Sequence, residues 1–94
     1  MGKSYGFIEI PSTTAALDAL DIMCKAADVE FVSWEKKLGG RLVTVIVEGS
    51  ISAVTAAVEG ASAQAIKAPD AKTVIANPLE EIVRIIQQSA SRLK

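Results

Sequence analysis

Lys36-Lys37-Leu38-Gly39-Gly40-Arg41-Leu42-Val43-Thr44-Val45-Ile46-Val47 decides the fold. Its second half is the strongest strand signal in the chain. The continuous apolar character of residues 42–47 places that strand at the centre of a sheet, covered on both faces. Its first half packs three positive charges and two glycines into a short link between apolar runs. A hairpin turn explains such a link. So does a site where backbone must approach something closely, because glycine has no Cβ to obstruct it.

Working outward, residues 29–35 are rich in β-branched and aromatic side chains and read as the strand before the link. Residues 4–10 read as a first strand, which Pro11 ends. Ser12, Thr13 and Thr14 offer oxygens that can cap a helix. That helix spans 15–27, with Leu17, Leu20, Cys24 and Ala27 on one stripe and Asp18 and Asp21 on another face. Downstream, Gly49 and Ser50 mark a boundary. Residues 51–66 read as a second helix with Ile51, Val54, Val58, Ala61 and Ala65 on its apolar stripe. Gly60 inside that helix costs about 1 kcal/mol relative to alanine. The alanines around it allow another element to approach closely. Residues 72–76 form a short fourth strand. Asn77-Pro78-Leu79-Glu80 then reads as a helix start: Asn77 caps, Pro78 suits the first turn, and Glu80 follows at the third position. The helix runs over 78–93, with Arg92 and Lys94 at the negative end of its dipole.

The order is β-α-β-β-α-β-α in one domain of 94 residues. This is an α+β architecture. Its first six elements, βαββαβ, match the ferredoxin-like antiparallel sheet with helices on one face, followed by a C-terminal helix. That fold names no function by itself.

Composition removes several functions. Ten basic residues nearly balance eleven acidic ones, so the basic excess of a nucleic-acid binder is missing. There is no histidine, hence no Ser-His-Asp arrangement and no usual zinc site. No metal, cofactor or catalytic residue is expected. Cys24 is the lone cysteine and lies in an apolar helical run, where a buried, inert thiol in a reducing cytoplasm is expected. No apolar run approaches the ~20 residues of a membrane span. Residues 1–6 show no hydrophobic signal segment and lack the serine or threonine of a myristoylation pattern. Half of the residues are hydrophobic, yet only four are aromatic. A modest core of small side chains and a positive mean hydropathy suggest apolar surface that other subunits cover.

Three stretches carry a resemblance to a known family. Residues 36–49, with the lysines, the Gly39-Gly40 pair and the Val-Thr-Val-Ile-Val strand ending in Glu48-Gly49, resemble the pore hairpin of bacterial microcompartment shell proteins. Asp21-Ile22-Met23-Cys24-Lys25-Ala26-Ala27 is similar to the family's first helix. Glu59-Gly60-Ala61, within the alanine-rich run 54–65, is similar to its second. The resemblance covers residues 4–78.

It implies a structural protein, not an enzyme, in the shell of a cytoplasmic microcompartment. Homohexamers would tile with other shell proteins into facets that enclose enzymes. Leu38, Gly39, Gly40 and Arg41 would line a pore on the sixfold axis, and Lys36 and Lys37 would charge its vestibule. Six chains crowding one axis need minimal side chains. A channel lined by one sign of charge concentrates the opposite sign, so small polar or anionic metabolites would pass. A bulkier residue at Gly40 would narrow the channel without unfolding the domain, provided that φ is negative there. Lys25 would sit at the contact between hexamers, facing the stretch Ala76-Asn77-Pro78, in which Asn77 stands where the family has arginine. The competing reading is a ferredoxin-like regulator, a trimer that binds a small molecule between subunits and uses residues 36–41 as its ligand loop. An RNA-recognition domain would need stacking aromatics on the central strand, and residues 42–47 have none.

Overall fold

The computed structural model describes residues 3–93. Its elements are β1 (Ser4–Ile10), α1 (Thr13–Ala26), β2 (Glu30–Lys37), β3 (Leu42–Gly49), α2 (Ile51–Gln64), β4 (Ala71–Ala76) and α3 (Glu80–Ser91). The strands form one sheet in the order β2-β3-β1-β4, and all three pairings are antiparallel. β3 is therefore an inner strand, as expected from its run of apolar residues, broken only by Thr44.

The period of two along each strand sorts side chains between two cores. Ile8, Ile10, Val43, Val45 and Val47 join one cluster with Ala15, Ala19, Met23, Val54, Ala57 and Ala61. Helices α1 and α2 thus share one face of the sheet. Tyr5, Ile46 and Ile86 form a second cluster with Phe7, Val32 and Val83 packed on it, so α3 covers part of the opposite face. β2 changes register between Phe31 and Ser33. This bulge lets the successive residues Val32 and Ser33 both face α3.

Four local expectations need correction. The buried face of α1 is Ala15, Ala16, Ala19 and Met23, whereas Leu17 is half exposed. The small residues go inward because α1 packs closely on α2: a Cβ at Gly60 would lie 3.5 Å from that of Ala26. In the same way Ile51 is half exposed at the start of α2. Cys24 is exposed rather than buried, and its pKa is raised first by partial desolvation and then by Asp21. Asn77 does not cap α3. It takes a left-handed φ of 49°, and Leu79 occupies the cap position with no side-chain hydrogen bond. Leu79 enters the helix with ψ of 152°, so the helix starts two residues later than the Asn-Pro signal suggests. Met1, Gly2 and Lys94 lie outside the described residues.

Candidate functional site

The link between β2 and β3 is shorter than its charge run suggests. Lys36 and Lys37 belong to β2, paired with Val43 and Leu42. Only residues 38–41 remain to turn the chain. They do so with an uncommon backbone: Leu38, Gly39 and Gly40 have φ of 55°, 67° and 90°. Two of these positions are glycine, which accepts such angles freely. Leu38 is not, and for a leucine this conformation costs roughly 1–2 kcal/mol. Its side chain gains nothing in return from burial, since it is 71% exposed.

The start of α1 holds the turn in place. Arg41 N–H donates to Leu38 C=O at 3.3 Å, and Ser12 N–H donates to Arg41 C=O at 3.1 Å. Thr13 Oγ1 donates to Gly40 C=O at 3.2 Å. Ser12 also caps α1 by accepting from Ala15 N–H at 3.1 Å. Ser12 therefore caps the helix with its hydroxyl and holds the turn with its backbone N–H, and the Thr13 hydroxyl holds the turn from the next residue. Only the capping is readable from residue type. Beside the turn lies an open depression of about 400 Å³, lined by Ser12, Thr13, Gly39, Gly40, Arg41 and Lys67 among others.

Lys36, Lys37 and Arg41 are exposed. The ion pairs among the described residues are Lys3–Glu48, Lys25–Asp21 and Arg92–Glu35, so the three cations at the turn have no acidic partner there. They surround an exposed leucine and two glycines. This arrangement can attract anions and offer backbone donors. No group of three His, Cys, Asp or Glu side chains able to hold a metal occurs among the described residues. No helix there is long and apolar enough to cross a membrane.

Gly40 departs from the condition set for a narrowing substitution. Its φ is positive, and an added Cβ would lie 2.8 Å from Thr13 Oγ1. The backbone here is committed to glycine.

The two other singled-out residues lie away from the turn. Ile10 pairs with Val43 next to the turn, whereas Ser4 pairs with Gly49 and Ala76 at the other end of the sheet. Asn77 follows Ala76 at that far end. Lys25 is on the last turn of α1, and its Nζ lies 2.9 Å from Asp21 Oδ2 one helical turn back. The hydrogen bond that Lys25 donates to the Asp21 carboxylate raises its pKa, helped by the same negative charge. Asp18 is better placed than its sequence position suggests: its carboxylate accepts from Ile66 N–H at 2.9 Å, tying the end of α2 to α1.

Residues 4–78 match the family described as the BMC domain. The chain is 37% identical over 92 residues to the bacterial microcompartment shell protein PduA of Salmonella typhimurium, covering 96% of this chain and 97% of that protein. It is 38% identical over 88 residues to the carboxysome shell protein CsoS1A of Hydrogenovibrio crunogenus, covering 90% and 91%. The crystal structure of a microcompartment protein from Desulfitobacterium hafniense superimposes with a TM-score of 0.80 at 22% identity, over 95% of this chain and 49% of that one. That likeness is one of fold, and this chain spans about half the length of the solved one.

Proposed function

The chain belongs to the BMC domain family, and we propose from this that it is a structural subunit of a bacterial microcompartment shell. In this reading it assembles as a homohexamer, tiles with other shell proteins around encapsulated enzymes, and passes small polar or anionic metabolites along the sixfold axis. The observation that carries the pore is the turn itself. Three consecutive left-handed residues hold an apolar side chain in solvent, ringed by three cations without acidic partners. Strain of this kind is kept where the surroundings use it. Six copies around an axis would give Leu38 a neighbour, bring Gly39 and Gly40 to the narrowest point, and turn Lys36, Lys37 and Arg41 into a positive ring. Exposed Leu17, Phe31, Ile51 and Ile66 supply apolar surface for contacts between subunits.

Sedimentation of the purified protein tests the assembly. A species of six times the 9.9 kDa subunit is expected, with no monomer at micromolar concentration. A stable monomer contradicts the reading, and a trimer replaces it with the ligand-binding regulator.

Lys25 and Asn77 are the proposed edge. Their end of the sheet is opposite the turn, as the rim of a disc is opposite its centre. Lys25→Ala is expected to leave hexamers intact and to reduce sheets or tubes seen by negative stain. Within one subunit Lys25 already pairs with Asp21, so tiling must compete with that contact. Arrays as extensive as the parent's would make Lys25 a solvated side chain and nothing more.

A further inference from the structure

A run of polar groups joins α3 to β2, and the shell reading makes no use of it. Ser33 on β2 is fully buried and Ser89 on α3 nearly so. Their Oγ atoms lie 2.6 Å apart. Ser89 Oγ also hydrogen-bonds to the Glu35 carboxylate, whose other oxygen is 3.7 Å from Arg92 Nη1. The direction of this run follows from proton counting. An ionised carboxylate only accepts, so Ser89 donates to Glu35. A hydroxyl has one proton, so Ser89 can only accept from Ser33. One directed chain results, from Ser33 to Ser89 to Glu35, with Arg92 at its exposed end.

Beside this run, α3 is held by Ile86 and the partly buried Val83 against Tyr5, Phe7, Val32 and Ile46, while Ile82 and Ile85 stay exposed. The position of the polar chain gives it consequence. Ser33 sits at the middle of β2, and Glu35 lies in the half that leads into Lys36, Lys37 and the turn. Ser89 and Arg92 lie at the C-terminal end of α3, so the helix runs beside β2 toward that same turn.

We propose that this chain is a clasp through which the docking of α3 sets the order of the turn at residues 38–41. With α3 seated, Ser33 and Glu35 have their partners, and the end of β2 is fixed against β3. With α3 lifted, both lose them to water, and the strand end that carries Lys36 and Lys37 loosens. What this does to passage through a shell rests on the pore reading. The coupling between α3 and the turn does not.

The test is hydrogen exchange followed by mass spectrometry on the full chain, comparing the parent with Ser89→Ala, Ser33→Ala and the double variant. Ser89→Ala strands a buried hydroxyl on Ser33 and removes a donor from Glu35, each of which disfavours the docked helix. Exchange should rise about tenfold both in α3 and in residues 36–42. Ser33→Ala should do less, because the bond between Ser89 and Glu35 survives. The double variant should fall short of the sum of the two, as expected for groups in one network. Faster exchange in α3 with residues 36–42 unchanged overturns the coupling, and an unchanged α3 overturns the clasp. Should Ser89→Ala fail to fold, the milder Ser33→Ala carries the same comparison. Failure of the pore reading would appear elsewhere, in where the turn sits within the assembly, and would leave these exchange rates as they are.

Discussion

Gly6→Val is expected to cost the domain about 3 kcal/mol or more, a large share of the ~5–15 kcal/mol that holds a typical domain together. Gly6 lies on β1 between Val47 and Val74 of the flanking strands. A Cβ there would lie 2.9 Å from Val58 Cγ2 and 3.3 Å from Val47 Cγ2. Neither methyl can retreat easily. Val58 is on α2, where a β-branched side chain has one strongly preferred rotamer, and Val47 is fully buried on the central strand. Relief must come from moving α2 off the sheet, which opens the core around Val54 and Ala57. Gly6→Ala should fall between, losing about 1–3 kcal/mol. Urea unfolding of the two variants checks the series. Two curves that overlay the parent's would mean that α2 does not approach β1 this closely.

Gly40→Leu should cost roughly 2–3 kcal/mol and disorder the turn. Two effects add. The φ of 90° is one that an L side chain resists, and the new Cβ would collide with Thr13 Oγ1, which donates to the Gly40 carbonyl. Relieving the collision breaks that bond and loosens the tie between α1 and the turn. Gly39 is a useful contrast. Its φ is 67°, but nothing lies within 4 Å of an added Cβ, so Gly39→Ala carries the backbone cost alone. Gly39→Asn should carry less, because asparagine tolerates the left-handed region. The expected order of destabilisation is Gly39→Asn, then Gly39→Ala, then Gly40→Leu, read from thermal unfolding. A Gly40→Leu variant as stable as the parent would contradict a left-handed turn. A channel-narrowing experiment accordingly belongs at position 39.

The strand content and the central place of β3 were legible because residues 42–47 are apolar but for Thr44. Which face of α1 points inward was not. Leu20 packs against the core as its stripe predicts, but Leu17 and Cys24 recur at helical spacing as well as Ala15, Ala19 and Met23 do and turn outward. The choice falls on the smaller set because α2 lies close, and volume is invisible to a period. Asn77 illustrates a second gap. Asn-Pro followed by glutamate is a helix-start pattern, but asparagine also accepts positive φ, and the turn out of β4 uses that property instead. At the candidate site, the glycine pair and the charge run mark the place plainly. The left-handed Leu38 has no signature in residue type. The same holds for the second role of Ser12 and Thr13 as buttresses, and for the clasp at Ser33, Ser89 and Glu35. The last two depend on partners between 27 and 56 residues away in the chain.

The central claim is that six copies of this domain bring one turn to a common axis. A cryo-electron microscopy reconstruction of the purified assembly measures that directly. The account predicts a sixfold disc with residues 38–41 of every subunit around the axis, Gly39 and Gly40 at its narrowest point, and Lys36, Lys37 and Arg41 within the vestibule. A trimer, or a hexamer with this turn on its outer rim, would contradict it.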